Sequence, residues 1–161
     1  MNAIEIAKKM ETDAIRFYTE AAGKTSHPAG KKMFETIAGD EKRHLEIVNS
    51  MLKGMDIRID DVHPMENIKT VFETMKGDLL KQVEATADEL EAFKIAMKME
   101  KEGIDFYNKM LKESRTEKEK NLFKKLIGEE EQHYKIFANT YDFLHDTGNW
   151  FMWEDHSIVE G

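Results

Sequence analysis

Six side chains in this chain of 161 residues have types and spacing that suit metal chemistry. Glu41 and His44 form one Glu-x-x-His pair, and Glu130 and His133 form a second. Thirty residues before each pair's glutamate stands another, Glu11 and Glu100. On an α-helix a spacing of three keeps carboxylate and imidazole on one face. Four carboxylates and two neutral imidazoles, with no thiolate, suit iron or manganese. Two divalent cations would balance the four negative charges. Without them, each carboxylate placed in a core would cost several kcal/mol.

One Glu-x-x-His arises readily by chance in a chain this rich in glutamate. The inference rests on repetition. Residues 6–48 match residues 95–137 at a constant offset of 89 without a gap. The matches include Met10 with Met99, Glu11 with Glu100, Phe17 with Phe106, Tyr18 with Tyr107, Phe34 with Phe123, Glu41 with Glu130 and His44 with His133. Apolar matches are expected between any two amphipathic helices, whereas the polar ones are not.

Four helices must position these groups. Asn2 with Glu5, and Thr86 with Glu89, read as capping boxes that open the first and third helices. Thr116 with Glu119 opens the fourth, and Pro28 suits the first turn of the second. Along each helix, steps of three and four define one apolar seam. The seams run Ile4, Ala7, Glu11, Ala14, Tyr18, Ala21; then Phe34, Ile37, Glu41, His44, Val48, Met51. The third is Phe93, Ala96, Glu100, Gly103, Tyr107, Met110, and the fourth Phe123, Leu126, Glu130, His133, Phe137, Thr140, Leu144. All six candidate ligands lie on these seams and therefore face a shared core. Short turns make antiparallel hairpins of about 2–53 and 88–144. The connector 54–87, with a short helix near 65–76, carries the chain along the bundle. The expectation is an all-α, single-domain four-helix bundle over 1–161 with one long crossover and an aromatic tail from 145 to 161.

Composition narrows the function. Cysteine is absent, which excludes a disulfide scaffold, thiolate zinc, iron–sulfur clusters and a cysteine nucleophile. The net charge of −8 provides no overall basic surface for nucleic acid or an anionic membrane. No apolar run approaches the roughly 20 residues of a membrane span, and the N-terminus lacks a signal-peptide core. A soluble cytoplasmic protein with neither nucleic-acid nor membrane partners is expected.

The phrases "METDAIRFY" and "MFETIAGDEKRHLEIV", echoed by "MEKEGIDFY" and "LFKKLIGEEEQHYKIF", resemble the ferritin-like di-iron carboxylate proteins. Their ligands are a Glu from two helices and a Glu-x-x-His from the other two. Within that superfamily the chain is similar to the rubrerythrin family, in its short branch without a rubredoxin domain, up to about residue 145. The resemblance implies that Glu41 and Glu130 bridge two iron ions. It makes Glu11 and His44 terminal ligands on one iron, and Glu100 and His133 on the other. It also implies an oxidoreductase that reduces hydrogen peroxide or dioxygen at a diferrous centre, with manganese as the alternative metal. With no cysteine for a rubredoxin iron, an external electron-donor protein is required. A homodimer is expected. The chain departs from the family pattern at Gly103, where rubrerythrins carry a further glutamate ligand. Ferrous oxidation with release of metal is a competing reading, and a structural bundle with inert metal a third.

Tyr18 and Tyr107, seven residues after Glu11 and Glu100, are candidates to hydrogen-bond ligand carboxylates, or else plain core aromatics. His27, His63, His145 and His156 lie off the seams and read as surface or capping residues. The Trp150–Phe151–Met152–Trp153 cluster is expected to pack within the protein or across a dimer interface. Without metal, burial and repulsion should raise the pKa of all four seam glutamates.

Overall fold

The computed structural model describes residues 2–53, 63–74 and 84–150. Five helices occupy them: α1 Ala3–Lys24, α2 Pro28–Leu52, α3 Pro64–Thr74, α4 Ala87–Glu113 and α5 Glu117–Thr147. This is an all-α, ferritin-like helical bundle. Helix α1 packs along α2, and α4 along α5, as two hairpins that meet mainly through α1 and α4. No described helix is long and apolar enough to cross a membrane.

The helix starts follow their caps. Asn2 and Thr86 each form a complete capping box, with Glu5 and Glu89 respectively. Thr116 accepts from the backbone N–H of Glu119. Helix α2 is capped by His27, whose Nδ1 accepts from the Ala29 N–H, and Pro28 fills its first turn. Glu89 has a second task beyond its cap. Its Oε2 accepts from both the N–H and the hydroxyl of Ser26, at 2.8 and 2.9 Å, tying the start of α4 to the turn between α1 and α2. Burial pushes its carboxyl up, but bonds from Thr86 and Ser26 outweigh that and hold it below the usual carboxylate range.

Two apolar clusters flank a polar layer. One gathers Tyr18, Phe34, Ile37, Phe93, Phe137, Leu144 and Trp150; the other Ala7, Val48, Tyr107, Phe123 and Leu126. Every seam position is buried except Ile4, Met51 and Met110, which are partly so. Phe17 and Phe106 are also only partly buried. Helix α3 seals the α2–α5 side by inserting Ile68 into the core, and the Met65 N–H donates to Gln132 Oε1.

Helix α5 runs three residues beyond the expected end. Gly148 stops it with φ +76° and an N–H bond back to Leu144, a left-handed position that glycine takes without a Cβ clash. Asn149 then bridges to Glu84 at the end of the crossover. Trp150 folds back into the bundle end and stacks on His27. Of the off-seam histidines, His63 and His145 are exposed. The crossover residues 54–62 and 75–83, Phe151, Met152, Trp153 and His156 lie outside the described residues.

Candidate metal centre

The helical seams bring Glu11, Glu41, His44, Glu100, Glu130 and His133 together in the layer between the apolar clusters. Each is at most 4% exposed, so solvent does not dissipate their charge. Glu11, Glu41, His44 and Glu130 each offer one ligand atom, all within 4.8 Å of one another. Glu41, Glu100, Glu130 and His133 form a second such group. Glu41 and Glu130 belong to both.

The imidazoles show how the donors are oriented. His44 Nε2 lies 3.0 Å from Glu129 Oε1, and His133 Nε2 lies 2.8 Å from Asp40 Oδ2. A carboxylate at Nε2 favours the proton there and turns Nδ1 inward, where a bound cation would take the place of a proton. His44 Nδ1 is 2.9 Å from Glu130 Oε1, and His133 Nδ1 is 2.9 Å from Glu41 Oε1. Despite these distances, neither Nδ1 has a partner in hydrogen-bond geometry. The same holds for Glu11 Oε2, Glu41 Oε1, Glu100 Oε2 and Glu130 Oε1. Buried polar atoms are rarely left this way. Ligand atoms that converge this closely, several of them out of hydrogen-bond alignment, fit a site built around cations.

Asp40 and Glu129 are the functional residues that sequence reasoning missed. They occupy equivalent places in the repeat, immediately before Glu41 and Glu130. That shared acidity at the repeat offset was the available signal. It was muted because Asp and Glu are not identical and the position lies beside the seam. Each reaches the histidine of the opposite hairpin. Glu129 is also paired with Arg43, whereas the position equivalent to Arg43 is Gln132, already engaged with α3. The two halves are therefore alike in donors but unequal in supporting charge.

The tyrosines cross over too. Tyr18 donates to Glu100 Oε1 at 2.7 Å, and Tyr107 donates to Glu11 Oε1 at 2.6 Å. Both are fully buried. Burial, with the Glu100 charge beside Tyr18 and the Glu11 charge beside Tyr107, pushes both phenols well above their usual range. They remain neutral donors.

Charge in the metal-free layer is shared unevenly. Burial and the Glu41 charge raise Glu11 to about 8. Burial also raises Glu100, with Glu41 adding to it, and raises Glu130 well above the ordinary value, with Glu100 and Glu11 adding. Glu41 departs from the expectation that all four rise. Burial and Glu130 push it up, but a bond to Glu11 and contacts with His44 and His133 prevail, so it is lowered. Burial works against charge on His44 and His133. The Glu41 and Glu11 charges overcome it at His44, and the Glu100 charge with the Asp40 bond does so at His133, raising both well above the imidazole range.

A rubrerythrin family model matches residues 2–141. The chain belongs to the rubrerythrin family. No curated protein and no solved structure matches it. The buried Glu/His layer of this rubrerythrin fits the di-iron site of that family. Gly103, where the family places a further glutamate, is tightly covered. A Cβ there would lie 3.0 Å from Glu130 Oε2, so a side chain at 103 would require the Glu130 carboxylate to shift by a few tenths of an ångström. Putting a glutamate there would disturb an existing donor before adding another.

Proposed function

We propose that this rubrerythrin is a non-haem di-iron oxidoreductase that reduces hydrogen peroxide, or dioxygen, with electrons from a separate donor protein. The observation that carries this reading is the pair of inward-turned, unpartnered histidine Nδ1 atoms, each held from behind by a carboxylate of the opposite hairpin. A layer of mere structural polar groups would satisfy its own donors and acceptors. In this reading Glu41 and Glu130, common to both donor groups, would help hold both ions, with Glu11 and His44 holding one and Glu100 and His133 the other. Manganese is the alternative occupant of the same donor set.

When bound, a ferrous pair supplies two electrons and Lewis acidity. The protein supplies placement. Four carboxylates balance four positive charges, and Asp40 and Glu129 fix the imidazole rings. Tyr18 and Tyr107 hold Glu100 and Glu11 against rotation and keep their own protons. The surrounding aromatic clusters exclude bulk water and strengthen each of these interactions. Reduction of peroxide to two waters takes two electrons and two protons, and the chain has no cysteine to hold a rubredoxin iron. The donor lies outside these 161 residues. A homodimer is part of the proposal.

Metal analysis of protein purified without oxygen, followed by a peroxide titration with added reductant, tests the reading. Two iron ions per chain and steady peroxide turnover are expected. One oxidation per site followed by release of iron would make the chain a ferroxidase or iron-handling protein instead. Bound metal inert to both oxidants would leave a structural bundle.

A further inference from the structure

A cleft between α1 and α4 leads from the surface to the Glu/His layer. Its volume is about 90 Å³, and its inner end is formed by Glu11, Glu41, Glu100 and Glu130, with Tyr18. Its walls include two repeat-related pairs, Met10 with Met99 and Ala14 with Gly103. Asp13 and Glu102, again a repeat-related pair, stand at the opening. Asp13 is bridged to Lys9 and Arg16, so the rim carries both signs. The inner end, by contrast, is lined by carboxylates.

The size decides which molecules fit. One water needs roughly 10–15 Å³ of such space, and pockets for drug-sized ligands hold about 300–1,000 Å³. The cleft takes a few water-sized molecules and no organic substrate of ordinary size. With two divalent cations bound, the four carboxylates are charge-balanced, so the inner end offers no net charge to draw in an ion. The repeat is broken where the cleft meets the layer. Ala14 carries a Cβ, whereas Gly103 does not, and that missing atom would sit 3.0 Å from Glu130 Oε2. The missing Cβ therefore leaves room for the Glu130 carboxylate at the inner end of the cleft.

We propose that this cleft is the port by which a small uncharged oxidant, of the hydrogen peroxide or dioxygen class, reaches the centre. Gly103 lets the Glu130 carboxylate line its inner end, and the Met10–Met99 pair sets its bore. The inference rests on the function proposed above and names the route and the size limit for that site. Methionine suits such a wall, because its unbranched thioether is apolar and adjusts its shape. Gly103, Met10 and Met99 become specificity-determining residues rather than core filler.

Two measurements test the port, and one does not depend on turnover. In protein loaded with Mn²⁺, the relaxation of bulk water protons reports how fast water exchanges at the metal. In protein loaded with iron under anaerobic conditions, stopped-flow oxidation compares hydrogen peroxide with cumene hydroperoxide. The native chain should favour hydrogen peroxide by at least about tenfold, a discrimination within reach of a shaped pocket. Replacing both methionines (Met10→Ala with Met99→Ala) should narrow that ratio and speed water exchange. Met99→Trp should slow water exchange and oxidation by hydrogen peroxide, and Ala14→Val gives the same narrowing from the opposite wall should Met99→Trp fail to fold. Unchanged ratios and unchanged water relaxation in widened and narrowed variants that still bind two metal ions would overturn the port. A chain that shows port-dependent water relaxation yet reduces no peroxide would overturn the proposed function and leave the port standing.

Discussion

Asp40 on α2 holds His133 on α5, with Oδ2 2.8 Å from Nε2. The bond joins the two hairpins through the ring that faces the metal layer. An imidazole has two nitrogens, and the one that is protonated cannot donate to a metal. By occupying Nε2, Asp40 keeps Nδ1 available.

Asp40→Ala should therefore weaken metal binding at the His133 half by about 10–100-fold, the usual cost of losing such an orienting partner. Helix content should be unchanged, because Asp40 caps no helix. A competition titration with a chelator measures the affinity. Glu129→Ala should do the same at His44 and additionally release Arg43. Equal affinity in native and Asp40→Ala protein would show that the ring needs no such support.

Metal-free protein should lose stability as pH rises from about 4.5 to 8. In the unfolded chain Glu11 titrates near 4.5, and in the folded chain at about 8. Between those values the folded state holds a proton that the unfolded state has released, so raising the pH favours unfolding. Glu100 and Glu130, also raised, act in the same direction. So do His44 and His133, whose folded values lie above 6.5. Lowered Glu41 acts oppositely, but below 4.5 and outside this window. Each pH unit of displacement contributes about 1.4 kcal/mol, or about 3–6 °C for a chain of this size. The apo Tm should fall by at least about 5 °C between pH 5 and 8, while metal-loaded protein, its repulsion neutralised, should show no such fall. Parallel apo and holo curves would contradict a shared buried site.

Tyr18→Phe removes the donor to Glu100 and keeps the ring against Phe34 and Phe137. A hydrogen bond to a charged group contributes about 1.5–3 kcal/mol. The variant should therefore be less stable by that order in the metal-loaded form, read by thermal unfolding. Tyr107→Phe should match it through Glu11, because the two bonds are equivalent in the repeat.

Trp150 closes the end of the bundle. It is 5% exposed and lies 5.7 Å, centroid to centroid, from both His27 and Phe93. Trp150→Ala should cost about 3–5 kcal/mol, as for other large buried aromatics. Gly30→Ala is the sharper probe. Its Cβ would lie 2.6 Å from the indole ring, so it should expel Trp150 and red-shift the protein's tryptophan fluorescence. An unshifted spectrum in a folded Gly30→Ala protein would show that the indole does not sit there.

Local pattern determined the helices, their caps and the buried seam. The steps of three and four that carry Glu41 and His44 to one face are properties of a single helix, readable without knowing its neighbours. The repeat extended that reading to six candidate ligands, because a buried carboxylate recurring at the same place in both halves requires a reason. Tertiary structure decided what each group meets. Seven residues separate Tyr18 from Glu11, yet its hydroxyl finds Glu100, and Asp40 finds His133 rather than His44. Those pairings depend on the register and separation of helices that touch only after folding, and no spacing within one helix encodes them. The lowering of Glu41 while Glu11, Glu100 and Glu130 rise has the same origin: distances among four helices set its sign. So does the place of Trp150, which settles over Gly30 and His27 because the turn of one hairpin lies against the end of the other.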